Sequence, residues 1–187
     1  MNKINGKKSD FALVRDEGTR VVIGYGLTKI GKDNYEWYEV YLPTKQLSLL
    51  TFEVIKKAIE ADINADTVEQ ITRGFSYTIL HGEQAGTQVN VWLSKENQSD
   101  FHAMHMNSAA LSFPVRYKVG ELEDGTAVFE EFADAEEMHA ICISTTQHVL
   151  TCQQAGWARK GAIDWSAYKA LYPEPANNDQ PSEEEVE

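Results

Sequence analysis

Three times along this chain, two segments of alternating polarity meet at a turn and are followed by a stretch of helical periodicity. A period of two suits a strand with one buried face, and a period near 3.6 suits a helix with one buried stripe. The recurrence points to a single α+β domain over 1–172, built of antiparallel β-hairpins packed with about three helices. In RVVIGYGLTK, the residues Val21, Ile23, Tyr25 and Leu27 share one face, with Gly24 and Gly26 on the other. NYEWYEVYL follows after the turn Gly31-Lys32-Asp33-Asn34, so 19–42 reads as a hairpin that Pro43 ends. FSYTIL and QVNVWL make a second hairpin around HGEQAGT. FPVRYKVG and TAVFEEF make a third around Glu123-Asp124-Gly125.

The helices are expected at 48–63, 95–109 and 135–155. The first carries Leu50, Val54, Ile55, Ala58, Ile59 and Ile63 at helical spacing, and Asp66-Thr67-Val68-Glu69 reads as a further turn that Gly74 stops. Ser94 is placed to cap the second. Asp134 with Glu137 forms a capping box for the third, which Gly156 is expected to close. Trp157 to Tyr172 reads as a short, partly helical end segment. Residues 1–10 are polar and expected to be loose. Residues 173–187 combine six acids, three prolines and almost no apolar side chain, the composition of a disordered acidic tail.

Composition limits the classes of function. The chain of 187 residues carries a net charge of -12 and no basic cluster, which argues against binding a phosphate backbone. No apolar run approaches the roughly 20 residues of a bilayer span, and no apolar segment follows Lys3, Lys7 and Lys8 as a signal peptide would require. Cys142 and Cys152 fall on one helix, roughly 15 Å apart at about 1.5 Å per residue, too far to bridge. Unpaired thiols suit a reducing compartment, so a cytoplasmic protein is expected.

The stretch FHAMHM and the run His139, Cys142, His148, Cys152 contain residue types that ligate soft metals. The spacing speaks against a metal. On one straight helix, the pair His139/Cys142 and the pair His148/Cys152 stand about 9 Å apart along the axis, whereas zinc holds every ligand within about 2.3 Å. His102 and His105 are candidates for a shared ion but have no third ligand at helical spacing. They read as ordinary core or surface histidines, with Phe101, Met104, His105 and Ser108 as the inward stripe, and no metal or cofactor is expected.

No catalytic constellation emerges either. Gly24-Tyr25-Gly26 lacks the spacing and strand–turn–helix setting of a nucleotide loop, and no G-x-S-x-G elbow is present. Glu130-Glu131 and Glu136-Glu137 read as solvated carboxylates at a strand end and in a helix first turn. Trp92, Trp157 and Trp165 read as core or interface anchors rather than a sugar platform, and with Ser94 they are the structural anchors expected.

Four stretches together carry a resemblance: AIEADINADTVEQITRGFSY, VNVWLSKENQSDF, FPVRYKVGELEDGTAVFEEFADAEEM and QAGWARKGAIDWSAY. Over about 54–168 the chain resembles a domain of unknown function found in bacteriophage and prophage proteins, often on or near tail-fibre proteins. VWLSKENQ and the closing GW and IDW are its most specific parts. FHAMHMNSAA departs from the family's more aliphatic helix, and HGEQAGTQ is longer than its usual loop. The resemblance implies a tail-associated structural or assembly role through protein partners, phage tail components among them, with a homo-oligomer as a further expectation, and it brings no catalytic residues. The alternative is an enzyme or small-molecule-binding protein with a pocket between sheet and helices.

Overall fold

The computed structural model describes residues 1–43 and 50–173. It is an α+β fold, as the recurring pattern requires. In chain order the strands are β1 (Asn2–Gly6), β2 (Val14–Asp16), β3 (Arg20–Lys29), β4 (Tyr35–Pro43), β5 (Phe75–Thr78), β6 (Gln88–Val91), β7 (Val115–Glu121) and β8 (Ala127–Phe132). The helices are α1 (Phe52–Arg73), α2 (Lys95–Met106), α3 (Ala135–Gly161) and α4 (Trp165–Leu171). The chain's contacts group into two compact units, Met1–Ile63 with the described residues from Arg159 onward, and Asn64–Ala158. The expected helix start at 48–49 and the acidic tail at 174–187 lie outside the described residues.

The first unit holds an antiparallel sheet in the order β1-β4-β3-β2. The expected hairpin is its centre, with Ile23 opposite Val40 and Val21 opposite Leu42. Residues 1–10 are not loose: β1 pairs along β4 from Asn2 opposite Glu39 to Gly6 opposite Tyr35. This pairing uses backbone groups, and its side chains stay largely exposed, so NKING has no apolar alternation to announce it. Val21, Ile23 and Tyr25 pack with Ile55, Ile59 and Ile63 of α1 and with Ile163 and Tyr168. Trp165 anchors this cluster as expected, its ring edge-on to Phe52 at 6.1 Å. Gly24 has a steric purpose, since a Cβ there would stand 2.5 Å from the Ala12 carbonyl oxygen and 3.0 Å from the Phe11 ring. Glu39, 4% exposed, accepts two bonds from the Arg15 guanidinium at 2.8 and 3.2 Å and others from Trp37 and Tyr41. Burial pushes this carboxyl up, but Arg15 and the two aromatic donors outweigh burial and hold it below the ordinary range.

The second unit packs the β5–β6 and β7–β8 hairpins with α2 and α3 around Val89, Val91, Leu93, Phe101, Val128, Phe132, Met138 and Ile141. On α3, Met138, Ile141, Cys142, Thr145 and Cys152 form a buried stripe at helical spacing, with His148 and Val149 half-buried beside it. Both expected caps form. Ser94 Oγ accepts from the Asn97 amide at 3.2 Å, and Asp134 Oδ1 accepts from Glu136 and Glu137 at 2.9 and 3.0 Å. Glu130 departs from its reading as a solvated carboxylate. It is 0% exposed and accepts from the Tyr77 hydroxyl and from the backbone amides of Leu80, His81 and Glu131 at 2.7–3.1 Å. Alternation along β8 turns Glu130 toward the interior between Val128 and Phe132.

Both long helices outrun their expected lengths. No breaker interrupts Asp62 to Arg73, so the separate turn at 66–69 is a continuation of α1. Gly74, at φ +72°, then ends it, and a Cβ there would collide with the Val91 carbonyl at 1.7 Å. Gly156 does not close α3, which runs to Gly161. It is buried, and a Cβ there would stand 2.5 Å from Thr67 Oγ1, so this glycine serves a close helix crossing. Trp157, read as a core or interface anchor, is 62% exposed and so is not a core anchor. Because the helix continues, the ring is carried out on the face away from Gly156.

Three substitutions test this packing. Gly156→Ala should destabilise by about 1–3 kcal/mol in urea melts, although alanine is the better helix former by about 1 kcal/mol. Thr67→Ala in the same chain should restore most of the loss, and a stabilising Gly156→Ala would mean that the crossing is looser than described. Glu130→Ala should cost at least about 3 kcal/mol, because several buried donors lose their acceptor at about 1–3 kcal/mol each. A cost below about 1 kcal/mol would show that water reaches the site.

Candidate functional site

The second unit holds an open groove of about 980 Å³. Its walls are residues 65–73 of α1, Asn90 and Trp92 at the exit of β6, the start of α2 and β7 from Tyr117 to Glu121. Gly74 turns the chain sharply out of α1, and two bonds then fasten the strand exit to the helix end. Leu93 donates its amide to the Thr72 carbonyl at 3.0 Å, and Asn90 Nδ2 donates to the Arg73 carbonyl at 2.6 Å. Helix C-termini leave carbonyls without internal partners, and this one supplies two acceptors to the strand.

VWLSKENQ builds the groove's lip. Val91 and Leu93 point inward and are buried, so Trp92 between them points outward and is 60% exposed. Trp92 is therefore not a core anchor. Its backbone is nonetheless clasped, since Asn97 Nδ2 donates to the Trp92 carbonyl at 2.7 Å and Gln98 Nε2 to the Leu93 carbonyl at 2.9 Å. Val68, 57% exposed, lines the α1 side. The alternation of QVNVWL already carried the signal for Trp92, and the preference of large aromatic rings for burial concealed it.

Tyr117 to Glu121 line the groove consecutively. Side chains alternate along a strand, so five successive lining residues mean that the edge of β7 faces the space. β6 and β7 belong to separate two-stranded sheets. Gly120 marks their approach, where a Cβ would stand 2.9 Å from the Asn90 carbonyl oxygen. Tyr117 donates its hydroxyl to Asp100 at 3.1 Å, and burial together with Asp100 pushes this phenol up to about 12. Glu69 pairs with Arg73, and Lys118 with Glu121. The charges of the groove thus have partners within it, while an aromatic ring, an aliphatic side chain and a strand edge face outward. That arrangement suits binding.

The histidines lie elsewhere in the unit. His102 and His105 both line a smaller cavity of about 260 Å³, beside Phe101, Cys142 and Thr145. His105 is exposed rather than part of the inward stripe and lies against the His139 ring at 4.6 Å. Phe101 and Met104 take the inward positions expected of them. His148 Nε2 meets the Gln70 carbonyl at 3.1 Å and Cys152 Sγ at 3.6 Å. Among the described residues, no group of three His, Cys, Asp or Glu side chains is placed to hold a metal ion. Both cysteines are free and buried. Burial pushes the Cys142 thiol up to about 11 and raises that of Cys152.

No family model, no curated protein and no solved structure matches this chain. Among the described residues, no helix is long and apolar enough to cross a membrane.

The raised, buried thiols have a direct consequence. Near pH 8 the thiolate of Cys142 is scarce and shielded, so a disulfide reagent should label the native chain far more slowly than the chain in denaturant. Rapid stoichiometric labelling of Cys142 in native protein, read by mass spectrometry, would contradict this placement.

Proposed function

We propose that this chain is a phage- or prophage-encoded, tail-associated assembly protein that works through contacts with other proteins, using the groove around Trp92. The observation that supports the reading is the exposure of Trp92. VWLSKENQ is among the most specific parts of the phage-domain resemblance, and its tryptophan lies 60% exposed on a backbone held by two side-chain amides. Tryptophan is enriched among the residues that dominate protein interfaces. Val68 extends the apolar surface, and the paired charges around it form a polar rim. A tail-fibre or baseplate component is the partner that the resemblance favours.

A second reading is supported by the size of the groove. Its volume of about 980 Å³ falls at the upper end of small-molecule sites. Its breadth and exposed aromatic lip favour a protein surface over an enclosed ligand.

Co-expression with candidate tail-fibre and baseplate proteins tests the leading reading. A stable complex is expected, and Trp92→Ala should weaken it at least about 30-fold, a loss of about 2 kcal/mol. The melting temperature of the chain should hardly change, because the ring is exposed in the free protein. Failure to bind any of them, or a complex indifferent to Trp92→Ala and Val68→Asp, would overturn the proposal. Saturable binding of a small molecule that Trp92→Ala abolishes would favour the second reading.

A further inference from the structure

A different surface, the exposed face of α3, carries an independent inference. From Met138 to Ala158 this helix contains no Lys, Arg, Asp or Glu, although the chain as a whole carries -12. Its buried stripe already serves the core. On the opposite face, Ile143 is 49% exposed, Leu150 46% and Trp157 62%. These three are spaced by seven residues and seven residues. At about 100° per residue they drift only about 20° per step, so they form one line roughly 21 Å long. Thr146, Gln147, Thr151 and Gln154 are also exposed along this side.

We propose that this face pairs with the same face of a second copy of the chain, antiparallel, about a two-fold axis at Leu150. Three features single out a second copy as the occupant. The apolar spacing is symmetric about Leu150, so a two-fold axis there sets Leu150 on its counterpart and Ile143 on the copy's Trp157, and self-complementarity is what a two-fold interface demands. Gln147 and Gln154 each bring a donor and an acceptor, and the Thr146 and Thr151 hydroxyls, which donate to the Cys142 and Gln147 carbonyls, keep an acceptor, so the polar positions can bond to their own kind. Elsewhere two chains of this charge repel, whereas an uncharged face lets them approach. A two-fold axis perpendicular to α3 makes the two helices antiparallel. A seven-residue repeat suits helices crossing at about +20°.

The face is a single helix surface with three apolar side chains, so the assembly is expected to depend on concentration. Sedimentation equilibrium of the full chain from about 1 µM to about 1 mM should show monomer passing to dimer. Leu150→Glu, which sets two carboxylates at the axis, should raise the dissociation constant at least about tenfold while the circular dichroism spectrum and melting temperature stay unchanged. Cysteine scanning with copper–phenanthroline oxidation keeps the test independent of folding defects. Leu150→Cys should cross-link to itself. Ile143→Cys alone should not, and a mixture of Ile143→Cys with Trp157→Cys should, above the background of the wild-type chain. A monomer across the whole range, a dimer indifferent to Leu150→Glu, or self-cross-linking through Ile143→Cys would each overturn the proposal.

Discussion

A carboxylate shut away from water is costly unless donors surround it, and each unit of this chain is organised around one. In the second unit Glu130 gathers the Tyr77 hydroxyl and the amides of Leu80 and His81, so a residue of β8 fixes the end of β5 and the loop that follows. The hairpins 75–91 and 115–132 are thereby joined by charge-assisted bonds as well as by apolar packing. In the first unit Glu39 does the same work with a cation, tying Arg15 on β2 to β4 across the intervening strand. Remove either acceptor and the donors remain buried, which is why such positions tolerate so little change.

The parts of this fold that can be read from sequence are those whose cause is local. Alternation places the three hairpins, Ser94 and Asp134 mark two helix starts, and Gly74 marks a stop, because strand pleat, cap and turn each depend on a few neighbouring residues. What could not be read depends on something distant. β1 exists because β4 has a free edge, and nothing in NKING says so. Gly156 resembles a helix stop until Thr67 is seen beside it. Glu130 looks like one more surface acid, since its donors lie about fifty positions earlier in the chain. The lengths of α1 and α3 follow the same rule, for a helix without breakers ends where packing ends it.

The groove was legible in pieces and illegible as a whole. VWLSKENQ reads as strand, cap and helix start, and each of these is present. That Asn97 and Gln98 would reach back to the carbonyls of Trp92 and Leu93 could not be known from spacing alone, and neither could the meeting of α1, β6, α2 and β7 around one space. The histidines are the converse case. They drew attention as residue types, yet their neighbours in the fold are a ring, a carbonyl and a thiol rather than a third ligand.

The clasp on Trp92 also bears on how fast a complex forms and breaks. A ring on a loose loop must be ordered when a partner arrives, and that lost freedom opposes association. Here the strand exit is already held by the helix end on one side and by two amides on the other, so the ring stands as a fixed post. Little ordering is left for this side of an interface. Changes to the ring should then act on the lifetime of a complex more than on the rate of encounter. Changes to Asn97 or Gln98, whose amides hold the backbone on either side of the ring, should slow the approach to the bound state by restoring to Trp92 the freedom that the fold removes.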